Sequence, residues 1–229
     1  MSDDGFRIPV RGQKTIECPQ CNFVIETVPL KILKTKILIV EGKDDLELFE
    51  ALTNKLQISD IQLIDFNGKY GWREKMSGLI QDRNFIKVIS LGLIRDADVN
   101  ATDTFRSVQN ALKATGLPIP NRPLTAAKGM PKVNVLIVPP EKKEGTLEEL
   151  CLNAVADDPA LICVNQYFEC LDHQKIDFPR ESSKAKAKVR VFLCSRGDPT
   201  LPLGIAAQKG YWPLDSKAFA TVKGFLKSL

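Results

Sequence analysis

Three observations predict an α/β fold: a mainly parallel four-stranded sheet flanked by helices, with a helical C-terminal extension and a small N-terminal hairpin. Apolar runs rich in leucine and β-branched residues recur without an alternating polar face, which marks strands buried on both sides. These runs alternate with helix-length segments as far as Gly145, the order expected of parallel crossover units. After Gly145 the pattern becomes mostly helical.

Residues 1–35 read as an appendage, broken by Pro9, Gly12, a Cys18-Pro-Gln-Cys21 knuckle and Pro29. The regular pattern begins with a strand at 36–40. A helix follows over 44–56, where Leu46, Phe49, Leu52 and Leu56 recur at helical spacing and Asp44 suits the amino-terminal cap. A second strand at 62–66 runs into Asn67-Gly68-Lys69-Tyr70-Gly71, a turn signal, and a short helix is expected over 72–81. The third strand is expected at 86–94 and ends at aspartates. A helix over 103–114 stops at Gly116, before a connection carrying Pro118, Pro120, Pro123 and Pro131. The fourth strand, 133–138, is stopped by Pro139-Pro140. Further helices are expected over 147–155, 159–171, 183–194 and 216–226. The chain thus divides into the appendage (1–35), a sheet domain (36–150) and a helical extension (151–229) packed on that domain.

The bulk properties exclude several classes. With 229 residues, 44% of them hydrophobic, the chain can bury a full core as one elaborated domain. Its longest apolar stretches fall far short of the roughly 18–20 residues of a spanning helix. The opening Met-Ser-Asp-Asp-Gly lacks the basic, then apolar, pattern of a signal peptide. A cytoplasmic protein with reduced cysteines and no membrane partner is expected. Cys18 and Cys21 form half of a zinc ribbon, but Cys151, Cys163, Cys170 and Cys194 supply no second close pair. The knuckle therefore reads either as a zinc site completed by distant cysteines or a second chain, or as a plain hairpin turn. His173 is the only histidine, which argues against His-dependent nuclease, triad and multi-histidine zinc chemistry. No Gly-x-x-x-x-Gly-Lys-Ser/Thr element is present. Trp72 and Trp212 are expected to pack between helix and sheet.

Two apolar runs end abruptly in carboxylates: Ile37-Leu38-Ile39-Val40-Glu41 and Leu91-Gly92-Leu93-Ile94-Arg95-Asp96-Ala97-Asp98. In a parallel sheet both endings fall at the carboxyl edge, where open α/β sheets bind ligands. Asp96 and Asp98 lie two apart and would point the same way if the strand continues. Such a group of hard oxygen donors suits Mg2+ or Mn2+, with Asp45 and Glu148 available for a second ion. Two ions could activate water and stabilise the leaving oxygen during phosphodiester cleavage. The charge pattern agrees. Residues 141–172 carry eight acidic and two basic side chains, whereas 180–196 carry six basic and one acidic, an acidic block beside a basic track. The plain alternatives are solvated helix faces and helix-capping carboxylates at Asp44, Asp45, Glu148 and Glu149.

Glu41 after the first strand and Asp96-x-Asp98 after the third resemble the signature of the Toprim fold. That Rossmann-like catalytic domain is shared by topoisomerases, bacterial primases and the OLD-type nucleases. Glu41-Gly-Lys-Asp-Asp45 is similar to the nuclease branch, where a second carboxylate on the first helix helps to hold metal. The motifs cover about residues 36–150. Two features depart from the family: the chain has no second Asp-x-Asp, and no ATPase domain accompanies it. The resemblance implies Glu41, Asp96 and Asp98 as catalytic, with Asp45 and Glu148 as additional metal ligands. It further implies a downstream lysine on the helix from Ser183. Spacing does not choose between Lys184, Lys186 and Lys188, and Lys186 is taken as the catalytic candidate. Lys184, Lys186, Lys188 and Arg190 together form the expected nucleic-acid track.

The first expectation is therefore a Mg2+- or Mn2+-dependent nuclease acting on DNA or RNA, with a role in defence against mobile elements beside a separate ATPase implied by the resemblance alone. The second is a nucleic-acid-binding or regulatory subunit with the same fold and little catalysis. Topoisomerase chemistry, which would need a covalent adduct at Tyr70, Tyr167 or Tyr211, is disfavoured by the short chain.

Overall fold

A computed structural model describes residues 16–17, 24–25, 31–176, 181–198 and 200–229. Two short strands, β1 (Ile16–Glu17) and β2 (Val24–Ile25), pair antiparallel, with Ile16 opposite Ile25. Cys18 and Cys21, on which the zinc expectation falls, lie outside the described residues.

The main sheet is all-parallel, as the uninterrupted apolar runs require. Its strands are β3 (Lys36–Val40), β4 (Ile61–Asp65), β5 (Ser90–Asp96) and β6 (Lys132–Val138), in the order β4-β3-β5-β6. After β3 the chain crosses to one side to make β4, then returns past β3 to make β5. The strand order therefore reverses between β3 and β5, whose carboxyl ends form the crevice of a Rossmann-like sheet. Glu41 and Asp96 stand at those two ends.

Alternate residues of each strand serve different cores. Leu38, Val40, Ile94, Leu136 and Val138 face α1 (Lys43–Lys55), α4 (Leu147–Ala154), α5 (Pro159–His173), α6 (Glu181–Cys194), α7 (Leu203–Gln208) and α8 (Ala220–Lys227). Ile37, Ile39, Leu91, Leu93, Val133 and Val135 face α2 (Trp72–Ile80) and α3 (Ala101–Ala114). The helical extension is thus part of the first core. Trp212 stacks on Phe192, with ring centroids 5.3 Å apart, and donates its indole N–H to the Leu203 carbonyl at 3.0 Å. Trp72 is equally buried, against Phe66.

Three expectations need correction. The third strand begins at Ser90, because Phe85–Lys87 forms a 3-10 turn with Ile86 at the surface; an apolar run there mimics a strand. The strand also ends at Asp96. Asp98 adopts φ +50°, so the two aspartates do not share one strand face. Helix α7 was not anticipated, since its six residues are too few to show a period, and the last helix is divided into a 3-10 turn (Lys217–Phe219) and α8.

Helix α7 sits directly on α1. A Cβ on Gly204 would lie 2.4 Å from the Glu47 Cβ and 2.6 Å from the Asp44 carbonyl oxygen, so only glycine permits this approach. Gly204→Ala should push α7 off α1 and cost about 1–3 kcal/mol, the range for overpacking. Urea unfolding of the variant beside wild type measures it; an unchanged midpoint would contradict the tight approach.

Candidate functional site

A cleft of about 580 Å³ opens at the carboxyl edge of β3 and β5. Glu41, Gly42, Asp45, Gly68, Asp96, Leu147 and Glu148 line one part of it. Lys186 and Arg190 on α6, with Thr200, Leu201 and Pro202 from the loop before α7, line another. The sheet edge supplies Glu41 and Asp96, the first turn of α1 supplies Asp45, and the first turn of α4 supplies Glu148. Three chain segments far apart in sequence, 41–45, 96 and 148, therefore bring their carboxylates together.

Local structure fixes each of them. Asp45 accepts the Gly42 backbone N–H at 3.0 Å, which closes the first turn of α1. Asp96 accepts the Leu147 N–H at 2.9 Å, so the amino-terminus of α4 is tied to the end of β5. Gly145, at φ +128°, exchanges two backbone hydrogen bonds with Asp98, at 2.9 and 2.8 Å, and sets the height at which α4 starts. Glu149 turns back to accept the Thr146 N–H at 3.3 Å. That leaves Glu148 as the acidic side chain of this turn that faces the cleft.

Two of these carboxyls, Asp45 and Asp96, are raised. Burial, then the charges of Glu41 and Glu148, push the Asp45 carboxyl from 3.8 up to about 7. Asp96 is pushed well above the usual carboxylate range by burial first, then by Asp45, Glu148, Glu41 and Asp98. The Cys151 thiol beneath them is buried and also raised, chiefly by desolvation, so it is an inert wall. Burial and proximity therefore favour the protonated forms of Asp45 and Asp96 in the cation-free protein.

Nearby cations contact other members of the group. Arg95, a buried residue that sequence reasoning passed over, donates from Nε to Glu41 Oε2 at 2.7 Å and lies 4.7 Å from the centre of the Trp72 ring. Its signal was present: a lone arginine closing an apolar strand must find a carboxylate or an aromatic face. Lys69, on the loop after β4, approaches Asp98 Oδ2 at 3.5 Å.

The basic track on α6 divides in two. Lys186 approaches Glu148 Oε1 at 3.9 Å and, with Arg190 one turn on, faces the cleft. Lys184 instead pairs with Asp172 at 2.8 Å, and Lys188 donates to the Asn165 side chain at 2.8 Å. Those two side chains bind α6 to α5. His173 ends α5 at the surface.

Among the described residues, no group of three or more histidine, cysteine or carboxylate side chains forms a ready-made metal site. The donor chemistry nonetheless fits a hard divalent cation: every candidate ligand is a carboxylate oxygen, and each carboxylate has acceptor capacity beyond the one contact described. Glu41 and Asp98 would have to turn from Arg95 and Lys69 to contribute. No helix among the described residues is long and apolar enough to cross a membrane.

Residues 35–229 match the model of a family described as a protein of unknown function, DUF3226, and the chain belongs to that family. The match begins one residue before β3 and runs through the helical extension, so sheet and extension belong to one family unit. No curated protein and no solved structure matches the chain.

Proposed function

We propose that this protein is a Toprim-type phosphodiesterase that cleaves DNA or RNA with Mg2+ or Mn2+. The observation that carries the reading is the clustering of Glu41, Asp45, Asp96 and Glu148 in one cleft, with Asp45 and Asp96 raised first by burial and then by the neighbouring carboxylates, and Lys186 and Arg190 opposite. Buried carboxylates converging from three distant segments, two of them strongly raised and without a cation of their own in contact among the described residues, are how sites for divalent cations are built.

Glu41, Asp96, Asp98, Asp45 and Glu148 would hold the cation or cations, which when bound supply Lewis acidity toward a phosphodiester and an acidified water. Arg95 orients Glu41 from behind. The Leu147 N–H orients Asp96 in the same way, leaving its other oxygen to the cleft. Lys186 and Arg190 would seat the substrate phosphate and offset charge growing on it. Leu147, Val189, Leu201 and Leu203 give the cleft dry walls that strengthen these interactions. The proposed chemistry belongs in the cytoplasm, with a separate ATPase as a partner in defence.

One observation favours a second reading. The Arg95–Glu41 pair already neutralises a principal ligand, which would favour binding nucleic acid without cutting it.

The test is Mn2+-dependent degradation of single- and double-stranded DNA and RNA by wild type, beside Lys186→Ala, Arg190→Ala, Lys184→Ala and Lys188→Ala. Cleavage is expected to fall roughly tenfold or more in the first two, a loss of at least about 1.4 kcal/mol. Lys184→Ala and Lys188→Ala, which face α5, should cut like wild type. If wild type binds nucleic acid and cuts none, the second reading takes its place.

A further inference from the structure

We propose that Tyr70 is a stacking platform for an unpaired base, placed so that the flanking phosphate of a single strand enters the carboxylate cleft. This inference rests on the nucleic-acid reading above and narrows its substrate to single-stranded or locally opened nucleic acid.

Tyr70 occupies the loop between β4 and α2. It is 79% exposed. The other aromatic closest in sequence, Trp72, is buried, so the loop turns one ring inward as an anchor and one outward.

The loop that carries Tyr70 is held firmly. Gly68 N–H donates to the Glu41 carbonyl at 2.7 Å, which ties the loop to the backbone of the site's principal carboxylate. Trp72 donates its indole N–H to the Gly68 carbonyl at 3.2 Å. Lys75 Nζ donates to the carbonyls of Phe66, Asn67 and Tyr70, the last at 2.8 Å. Burial lowers the pKa of Lys75, as expected of an ammonium spent inside the fold as a brace. An exposed ring on a braced backbone loses little freedom on binding, which is the economy of a preorganised platform.

The neighbouring charge defines what the ring would meet. Lys69 lies 5.7 Å from the Tyr70 ring centre and 3.5 Å from Asp98 Oδ2, so one ammonium bridges the ring and the acidic edge. Gly68, two residues before Tyr70, lines the cleft itself. An exposed ring beside a cation beside a cleft that can hold a divalent cation and a backbone phosphate is the arrangement that binds a nucleotide by its base and its backbone together. In a duplex the base faces are occupied by their neighbours, so the platform selects strands whose bases are free.

The test is fluorescence anisotropy of end-labelled single-stranded and duplex oligonucleotides with wild type, Tyr70→Ala and Tyr70→Phe in Ca2+. One base stacked on an aromatic ring is worth about 1–3 kcal/mol, so Tyr70→Ala should weaken single-strand binding by roughly tenfold. Tyr70→Phe should bind like wild type, and wild type should prefer the single strand to the duplex. Unchanged single-strand affinity in Tyr70→Ala overturns the platform, as does equal loss in Tyr70→Phe. Wild type binding neither oligonucleotide overturns the nucleic-acid reading itself, a result distinct from the loss of Tyr70's role alone.

Discussion

Asp96→Asn is expected to remain folded, to melt at a higher temperature at pH 8 than wild type in the absence of divalent cations, and to lose cation-dependent cleavage. The substitution is nearly isosteric, and the asparagine side-chain oxygen can still accept the Leu147 N–H that Asp96 accepts at 2.9 Å. What it removes is a carboxyl whose ionisation is opposed first by burial and then by Asp45, Glu148, Glu41 and Asp98. Relief of that desolvation and repulsion should stabilise the cation-free protein by about 1–3 kcal/mol, or several degrees in a domain of this size. The same step deletes a charged ligand, and cleavage should fall by at least about 10²–10³-fold. Opposite signs for stability and activity distinguish a functional carboxylate from a structural one. A variant that is both inactive and destabilised would instead mean that Asp96 serves chiefly to seat α4. Circular dichroism melts beside cleavage rates decide between the two.

A second large effect concerns pH. Asp45 is raised in the folded protein from 3.8 to about 7, so between those values the folded state holds a proton that the unfolded chain has released. Its contribution to stability is complete below about pH 4 and is lost as pH rises through 7. At about 1.4 kcal/mol per pH unit up to the folded value, the cation-free melting temperature should fall by about 4–8 °C between pH 5.5 and pH 8. A divalent cation reverses the sign locally, because it replaces the proton as the partner of these carboxylates. Mn2+ at about a hundred times its dissociation constant would stabilise by about 2.7 kcal/mol, and this gain should be large at pH 8 and small at pH 5.5, where protons compete. Thermal melts with and without Mn2+ at the two pH values measure both trends. Equal shifts at both would place cation binding elsewhere.

Much of this architecture is legible in the sequence for a simple reason. Strands buried on both faces leave continuous apolar runs, and those runs located β3, β4 and β6 to within a residue. The same logic put Glu41 and Asp96 at the carboxyl edge, since a carboxylate that ends such a run has nowhere else to go. The start of β5 was misjudged because periodicity cannot distinguish a surface isoleucine, Ile86, from a buried one. Asp98 was misjudged because its left-handed backbone conformation is set by pairing with Gly145, a contact 47 positions away. Helix α7 escaped because its place depends on Gly204 meeting α1, again a tertiary fact.

At the site, the sequence put forward carboxylates and lysines but not their pairings. Lys184 and Lys188 fall one turn apart on the face of α6 toward α5, while Lys186 and Arg190 fall one turn apart toward the cleft. Helical geometry predicts that division into two pairs, but not which pair faces which neighbour. Arg95 was overlooked because attention to the acidic pattern hides the cation between its members. Its contact with Glu41 makes the cluster an anion-rich group with one internal counterion, and bears directly on how readily Glu41 turns to a metal.

The most direct measurement of the central claim is a Mn2+ titration followed by electron paramagnetic resonance at pH 8, with wild type, Asp96→Asn and Asp45→Asn. If the carboxyl-edge cluster is a divalent cation site, wild type removes the free Mn2+ signal with saturating stoichiometry of at least one ion, and both variants bind at least about tenfold more weakly. Unchanged binding in both variants, or no binding in wild type, would contradict the claim and leave the raised carboxylates as a structural feature of the fold.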